Sequence, residues 1–437
     1  MILRDIKIVG LHGYIDKHLD FREDINFLVG INGSGKTSIL NIINWMLNPT
    51  MLPELCVTQF KEISIKITHR KANYQLLCKQ SGRRMSYHVL PIGAKTKPLH
   101  PLEIVLGRLP KNLAVRSEER KRMAEWYRGL KPVGPELQTF AFLQELPKPV
   151  ILGLDRTVLR DPRESPTGRQ MPAISSVEQL QELANNRYSS YQSRMLDLSS
   201  KLKDQIILSS FDADHLNPRN KPLRVQLSQI QKWRHRFGEY MRQTPNSKTG
   251  LQKELRDAAK LYFDKLEELL EAPSRAKEML KQVSSEFRKL QNLISFLEAF
   301  ESDSEQAYAP IKNYLDTLNS FFRDSSKRLW FKDDTNQICF QILDKKDKPV
   351  GDPRDLELMA SGEKQLFTLF TFIKFSAARV FIIDEPEVSL HPKWQEGFMD
   401  GIKGLMPENT QMILATHSPA LVGKYRDYCQ VLLPYNK

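Results

Sequence analysis

Gly30-Ile31-Asn32-Gly33-Ser34-Gly35-Lys36-Thr37 stands directly after the apolar run Ile25 to Val29 and directly before the helix-like run Ser38 to Leu47. The order reads as a strand, a phosphate-cradling loop and a helix. A nucleotide's phosphates need several backbone N–H groups converging on them, and residues without a Cβ let the backbone wrap that closely. Gly30, Gly33 and Gly35 meet that need. Lys36 places a point charge on the β and γ phosphates, Thr37 offers a hydroxyl to Mg²⁺, and the helix N-terminus behind them favours negative charge. Asn32, Ser34 and Ser38 share this loop and helix start and complete its nucleotide-binding set.

The complement to this loop lies far downstream. Val380-Phe381-Ile382-Ile383-Asp384-Glu385 is a buried-strand run that delivers two carboxylates at its C-terminal end, where ligands sit in parallel α/β sheets. Two acids there need a cation or a proton to receive. Asp384 is expected to hold Mg²⁺ through water, and Glu385 to be the general base that positions and polarises the attacking water.

At 437 residues the chain is too long for one ordinary core, so two to three domains, or one domain with a large insertion, are expected. The composition, 41% hydrophobic and 27% charged with a mean hydropathy of −0.44, is that of a soluble protein. No apolar stretch approaches the ~18 residues of a membrane span. Met1 to Gly10 carries Arg4, Asp5 and Lys7 where a signal peptide needs an apolar region. A cytoplasmic location is therefore expected, with no membrane partner. Cys56, Cys78, Cys339 and Cys429 are far apart and form no Cys-x-x-Cys pair, so they read as buried thiols. The net charge of +13 points to a polyanionic partner, of which nucleotide phosphate can account for part. The basic excess lies toward the N-terminal and middle portions: residues 1–100 hold 14 Lys and Arg against 7 Asp and Glu, whereas residues 301–437 hold 17 against 20.

Along the chain, Ile2 to Leu11 reads as a first strand leading to Tyr14 and Phe21. An aromatic here can stack on an adenine, although core packing is the plainer expectation for Tyr14. Ile63, Ile65 and Ile67 open a stretch to Leu90 that predicts an antiparallel sheet with a turn at Ser81-Gly82. Its Lys66, Arg70, Lys71, Lys79, Arg83 and Arg84 can meet nucleic acid or form a solvated strand face. Residues 111–130 read as a charged helix, and Leu137 to Leu146 as a return to strand, with Gln144 at its end.

Residues 150–325 then turn mainly helical, after the Pro- and Arg-rich stretch Arg156 to Pro172, which predicts an irregular connection. Leu280, Val283, Phe287, Leu290, Ile294 and Leu297 recur at three- and four-residue steps, and Leu251 to Leu270 has the same habit. Ala272-Pro273-Ser274 breaks between them, giving a helical hairpin. Lys232, Trp233, Arg234, Arg236 and Phe237 interleave basic and aromatic residues as nucleic-acid contacts do. Ile230, Trp233, Phe237 and Tyr240 nevertheless share one helical stripe, which favours core packing. Arg328 to Leu343 returns to strands, ending in the turn Asp344 to Pro349.

Three further motifs carry a family resemblance. Met359-Ala360-Ser361-Gly362-Glu363-Lys364-Gln365 resembles the signature motif of ABC-type ATPases, in the form common in their SMC and RecF-like branch. Glu387 to Pro392 resembles that branch's D-loop, and Thr416-His417-Ser418-Pro419 its switch histidine. The resemblance implies an α/β ABC ATPase head, with a P-loop parallel sheet beside an antiparallel sheet, interrupted by a helical lobe. Residues 1–150 and 326–437 would be the two halves of the head, and 151–325 the inserted lobe. It also implies a homodimer that sandwiches two ATP molecules. Each ATP would lie on one copy's Walker loop and under the other's Ser361, Gly362 and Glu363, with His417 on the γ-phosphate and Gln144 as the Q-loop residue near Mg²⁺. Gln138 competes for that last role. His391 and His417 are not spaced like a metal pair.

Lys36 and Ser361 are 325 positions apart, longer than a membrane-transporter head and far shorter than a true SMC rod. The chain looks like the compact ATPases of OLD-family nucleases and of two-gene antiphage defence systems, PARIS (AriA) and Septu (PtuA). OLD proteins continue into a Toprim nuclease after the switch histidine, whereas only Ser418 to Lys437 follow here, too little for such a domain. The function this implies is an ATP-hydrolysing sensor or scaffold subunit that controls a separate nuclease or toxin, as a dimer or a higher oligomer. The alternative is a RecF-like DNA-repair ATPase with nucleic acid as its partner.

Overall fold

The computed structural model describes residues 1–93, 97–107, 113–153, 177–210, 226–243, 250–271 and 276–433. The chain opens on a hairpin of β1 (Ile2–Leu11) and β2 (Ile15–Asp20), then runs through β3 (Ile25–Val29) into α1 (Lys36–Leu47) and the short α2 (Leu52–Cys56). Next come β4 (Glu62–His69), β5 (Ala72–Ser81), β6 (Arg84–Ile92) and β7 (Leu102–Val105), followed by α3 (Leu113–Arg128), α4 (Glu136–Glu145) and β8 (Val150–Leu152). Among the described residues four helices follow: α5 (Val177–Ser210), α6 (Leu227–Gln243), α7 (Gly250–Glu271) and α8 (Ala276–Phe322). The remainder is β9 (Lys327–Phe331), β10 (Ile338–Leu343), β11 (Pro349–Arg354), α9 (Ser361–Phe375), β12 (Val380–Asp384), α10 (Pro392–Leu405), β13 (Gln411–Thr416), α11 (Pro419–Val422) and β14 (Cys429–Val431).

The chain divides into two compact units, Met1–Arg187 with Asn313–Lys437, and Tyr188–Lys312. Both divisions fall inside helices, α5 and α8.

The first unit is mixed α/β. Its parallel sheet has the order β14-β3-β13-β12-β8. An antiparallel sheet of order β2-β1-β4-β5-β6-β7 supplies the second layer, and β11-β10-β9 forms a smaller one. Helix α1 lies between the two larger sheets: Ile39, Ile42, Ile43 and Met46 pack in one core with Ile6, Ile65 and Tyr87 from the antiparallel side and Ile382 and Ile413 from the parallel side. A helix covered on both flanks must be apolar nearly all round, which is why Ile39 to Leu47 shows so little polar face. All five residues of β12 are buried, as both-faced coverage of a parallel strand requires.

Two local expectations are corrected. Leu137 to Leu146 is not strand but the helix α4, whose buried Thr139 and Leu143 lie four apart with Phe140 beside them. The strand starts only beyond Pro149, as β8. Tyr14 does not pack in the core: it sits at the β1–β2 tip and is 63% exposed, while Phe21 is buried. The turn Ser81-Gly82 joins β5 and β6 as expected. Cys56, Cys78 and Cys339 are buried and Cys429 half-buried, and burial pushes the Cys56 thiol up to about 12.

In the second unit, Ile230 and Trp233 of α6, Phe263 and Leu266 of α7, and Phe287, Leu290 and Ile294 of α8 form one cluster with Phe237 against it. The interleaved basic residues turn away from that core. Arg234 pairs with Asp264 at 2.7 Å and Glu267 at 3.2 Å, and Arg236 reaches Glu239, Glu298 and Glu301. The stretches 156–172 and 272–274, and the side chains of Leu280 and Val283, lie outside the described residues. Among the described residues no helix is long and apolar enough to cross a membrane.

Candidate nucleotide site

The loop between β3 and α1 turns through two left-handed glycines, Gly33 at φ 81° and Gly35 at φ 90°, a conformation that costs an L side chain energy. Asn32 is exposed at the crest, Ser34 is buried and Ser38 half-buried. Lys36 is only 4% exposed. Its ammonium donates to the carbonyls of Gly30 at 2.8 Å and Ile31 at 3.3 Å and faces His417 Nδ1 at 3.4 Å. Burial lowers its pKa, opposed by the nearby carboxylates of Glu385, Asp384 and Glu387.

Those carboxylates arrive from β12 and the turn after it. Thr37 Oγ1 donates to Asp384 Oδ2 at 2.7 Å. Burial raises the Asp384 pKa, offset first by that hydrogen bond and assisted by Glu385. Its other oxygen, Oδ1, is buried with no hydrogen-bond partner among the described residues. Together with the Thr37 hydroxyl it forms an all-oxygen donor set of the kind Mg²⁺ accepts. Glu385 follows at φ 50°, its amide held by Ala415 O at 2.8 Å, and its Oε1 lies 2.9 Å from His417 Nε2. An ammonium has no lone pair, so His417 Nδ1 accepts from Lys36 and Nε2 carries the proton it shares with Glu385. Lys36, His417 and Glu385 therefore form one hydrogen-bonded chain across three loops.

The signature-like segment begins α9. Ser361 is exposed and Gly362 buried. A Cβ on Gly362 would lie 2.4 Å from Ser389 O, so only glycine lets this helix start close onto the turn that carries Glu385. Gln365 Nε2 adds a hydrogen bond to Pro386 O at 2.9 Å. His391 caps α10, accepting from Lys393 N.

Residues 173–423, over half of the chain, match the family described as "AAA domain, putative AbiEii toxin, Type IV TA system". The chain belongs to that family. Residues 1–81 of this AAA-domain chain also match the family described as AAA ATPase domain. The chain is similar to the chromosome partition protein Smc of Mycoplasma genitalium, 25% identical over 199 residues, 44% of this chain. The match spans 20% of that relative's length. Among solved structures it is similar to the Smc head domain with an extended coiled coil from Pyrococcus furiosus, bound to the C-terminal domain of ScpA. That likeness has 14% identity, a TM-score of 0.37, and covers 96% of this chain and 91% of that one. It is also similar to the Smc head domain with a coiled coil and joint from Pyrococcus yayanosii, at 14% identity and TM-score 0.35, over 96% and 93% of the two chains.

Within this AAA-domain chain, Glu363 and Gln144 are two of the residues expected at the nucleotide. Glu363 is 2% exposed and turns inward: both its oxygens bind Lys327, at 2.7 and 2.9 Å, and Oε2 also accepts from Ala360 N at 2.8 Å. Through these contacts it holds the start of α9. Gln144 stands exposed on α4, and no described hydrogen bond joins it to Thr37 or Asp384. Glu387, read from sequence only as the first residue of the D-loop resemblance, touches this site as well. Glu387 Oε1 receives Thr416 Oγ1 at 2.7 Å, His417 N at 2.6 Å and Ser418 N at 3.2 Å. The signal available for it was its place as the third acid of Asp384-Glu385-Pro386-Glu387.

Proposed function

We propose that the chain binds ATP with Mg²⁺, hydrolyses it slowly, and serves as the sensor or scaffold subunit of an antiviral defence complex that controls a separate effector nuclease or toxin. The observation that carries the reading is the meeting of Thr37 with Asp384 and of Glu385 with His417 around Lys36. Membership in a family whose description includes a toxin system agrees with it. Thr37 and Asp384 would hold Mg²⁺, which when bound neutralises phosphate charge. Lys36 binds the β and γ phosphates, Glu385 accepts the proton of the attacking water, and His417 holds the Glu385 carboxylate in place.

The site is half of a composite. Ser361 presents its α9 N-terminus on the surface, and Ile31, Leu358 and Val388 are 64%, 69% and 41% exposed, placing one apolar side chain on the phosphate loop, one before the signature and one on the D-loop. A second copy of the chain would cover them and bring its Ser361 over the nucleotide. ATP is then a dimerisation ligand, and hydrolysis loosens the pair.

The test is Glu385→Gln. We expect turnover to fall by about 10²–10⁴-fold and ATP with Mg²⁺ to trap a dimer visible by light scattering. A variant that stays monomeric at saturating ATP counts against the sandwich. The RecF-like alternative rests on the net charge of +13. On the antiparallel sheet, however, Lys66, Lys79 and Arg70 pair with Asp5, Glu62 and Glu145. An ATP-dependent duplex-DNA affinity that fades steeply with salt would favour that alternative.

A further inference from the structure

We infer that Glu387 is a positioning residue for His417: its carboxylate grips the backbone of the loop after β13 so that the imidazole stands between Lys36 and Glu385. This rests on the proposed hydrolysis. Three successive residues donate to one oxygen of Glu387. Strand β13 ends at Thr416 and its neighbour β3 ends at Val29, so the amides of His417 and Ser418 leave the ladder with no strand to receive them. His417 is exposed and Ser418 half-buried, its amide also donating to Thr416 Oγ1 at 3.0 Å, so the fixed carboxylate serves as a charge-assisted anchor for this stretch rather than as relief for a buried donor.

The turn that carries the grip also carries the base. Val388 N binds Glu385 O at 3.1 Å and Leu390 N binds Glu387 O at 3.0 Å, so Glu385 and Glu387 ride on one closed turn. His417 is thus held twice by that turn, by its amide through Glu387 and by Nε2 through Glu385. With the backbone of residue 417 fixed, Nδ1 is left facing Lys36. Without the grip, the ring has only its side-chain bonds to orient it. The second oxygen, Oε2, is buried and has no partner among the described residues, so the interaction is carried by the single oxygen Oε1.

The experiment compares ATP turnover, and separately the affinity for a fluorescent ATP analogue, in wild type, Glu387→Ala, Glu387→Gln, His417→Ala and the Glu387→Ala/His417→Ala pair. Misplacing a reacting group by about 1 Å can cost about 10²-fold. We expect kcat to fall by about that factor in Glu387→Ala, with affinity within about threefold of wild type. His417→Ala should match that loss and the pair should fall no further, because one residue acts through the other. Glu387→Gln, which keeps an acceptor oxygen, should recover at least about tenfold of the loss. Independent losses that multiply in the pair, or wild-type turnover in Glu387→Ala, would overturn the assignment.

Should Glu387→Ala not fold, Glu387→Asp, one methylene shorter, carries the same comparison. Amide hydrogen exchange at His417 and Ser418 separates this inference from the hydrolysis it rests on. Faster exchange in Glu387→Ala is expected whether or not ATP is turned over, and unchanged exchange refutes the grip. A wild-type protein without turnover refutes only the hydrolysis.

Discussion

The hydroxyl of Thr37 and the carboxylate of Asp384, 347 positions apart in sequence, meet at 2.7 Å. Around that contact a lysine, three acids and a histidine are drawn together on the C-terminal ends of β3, β12 and β13. Charges gathered for chemistry are not gathered for stability, and this cluster allows the two to be separated.

Asp384→Asn separates them. Burial holds the Asp384 carboxyl above its ordinary pKa, against the pull of Thr37. A folded pKa above the unfolded one means that the group's stabilising contribution is complete below the unfolded value and is lost as pH rises through the folded value. Near neutral pH the ionised carboxylate is therefore a cost that a neutral amide avoids, while an amide oxygen still accepts from Thr37. Asp384→Asn should melt higher than wild type near pH 7 in scanning calorimetry, with the gain shrinking toward pH ~4, the ordinary carboxylate range. The same variant should lose Mg²⁺-dependent turnover by at least about tenfold. A melting temperature below wild type at neutral pH would contradict the electrostatic account.

Gly362→Ala tests the seat of α9. The added Cβ would meet Ser389 O at 2.4 Å, a backbone atom that cannot swing aside like a side-chain end. The expected loss is about 1–3 kcal/mol in urea denaturation, the usual range for overpacking, accompanied by weaker ATP-dependent association because Ser361 is displaced with the helix. Full stability together with full association would show that this close approach is dispensable.

Glu363→Gln tests whether that carboxylate serves the fold or the ligand. Glu363 and Lys327 form a largely buried pair, with side chains 3% and 18% exposed. Removing one partner of such a pair leaves an uncompensated charge, worth about 3 kcal/mol. Pairing the change with Lys327→Met should return more than half of that loss in chemical denaturation. If instead nucleotide affinity collapses while stability holds, Glu363 contacts the ligand after all.

What could be read from sequence were the contiguous runs whose chemistry is local. The run Ile25 to Thr37 and the run Val380 to Glu385 each join a strand to the turn that follows it, and both strands lie in the parallel sheet that the pattern predicts. The helix α4 was misread because ten residues of mixed apolar and polar character suit either period, and the arbiter, burial of Thr139 and Leu143 on one stripe, belongs to the fold. The inward pairing of Glu363 is not legible because Lys327, its partner, lies 36 positions away. The contacts of Glu387, named only as the start of the D-loop resemblance, are hidden for a similar reason, since its donors stand 29 to 31 positions downstream. Motifs name the residues that meet a ligand. They are silent on the residues that hold those in place.

The strand order has a consequence in time. Strand β13 sits between β3 and β12, pairing Phe27 with Leu414 on one side and Ile383 with Leu414 on the other. It is made after every other strand of that sheet except β14. At a synthesis rate of about 5–20 residues per second, β3 and its phosphate loop wait roughly 20–80 s on the ribosome for the neighbour that completes them. Until then Lys36 has no His417 to face and β3 no Leu414 to pair with. A nascent chain therefore lacks the Lys36–His417–Glu385 contact until it has been translated past His417.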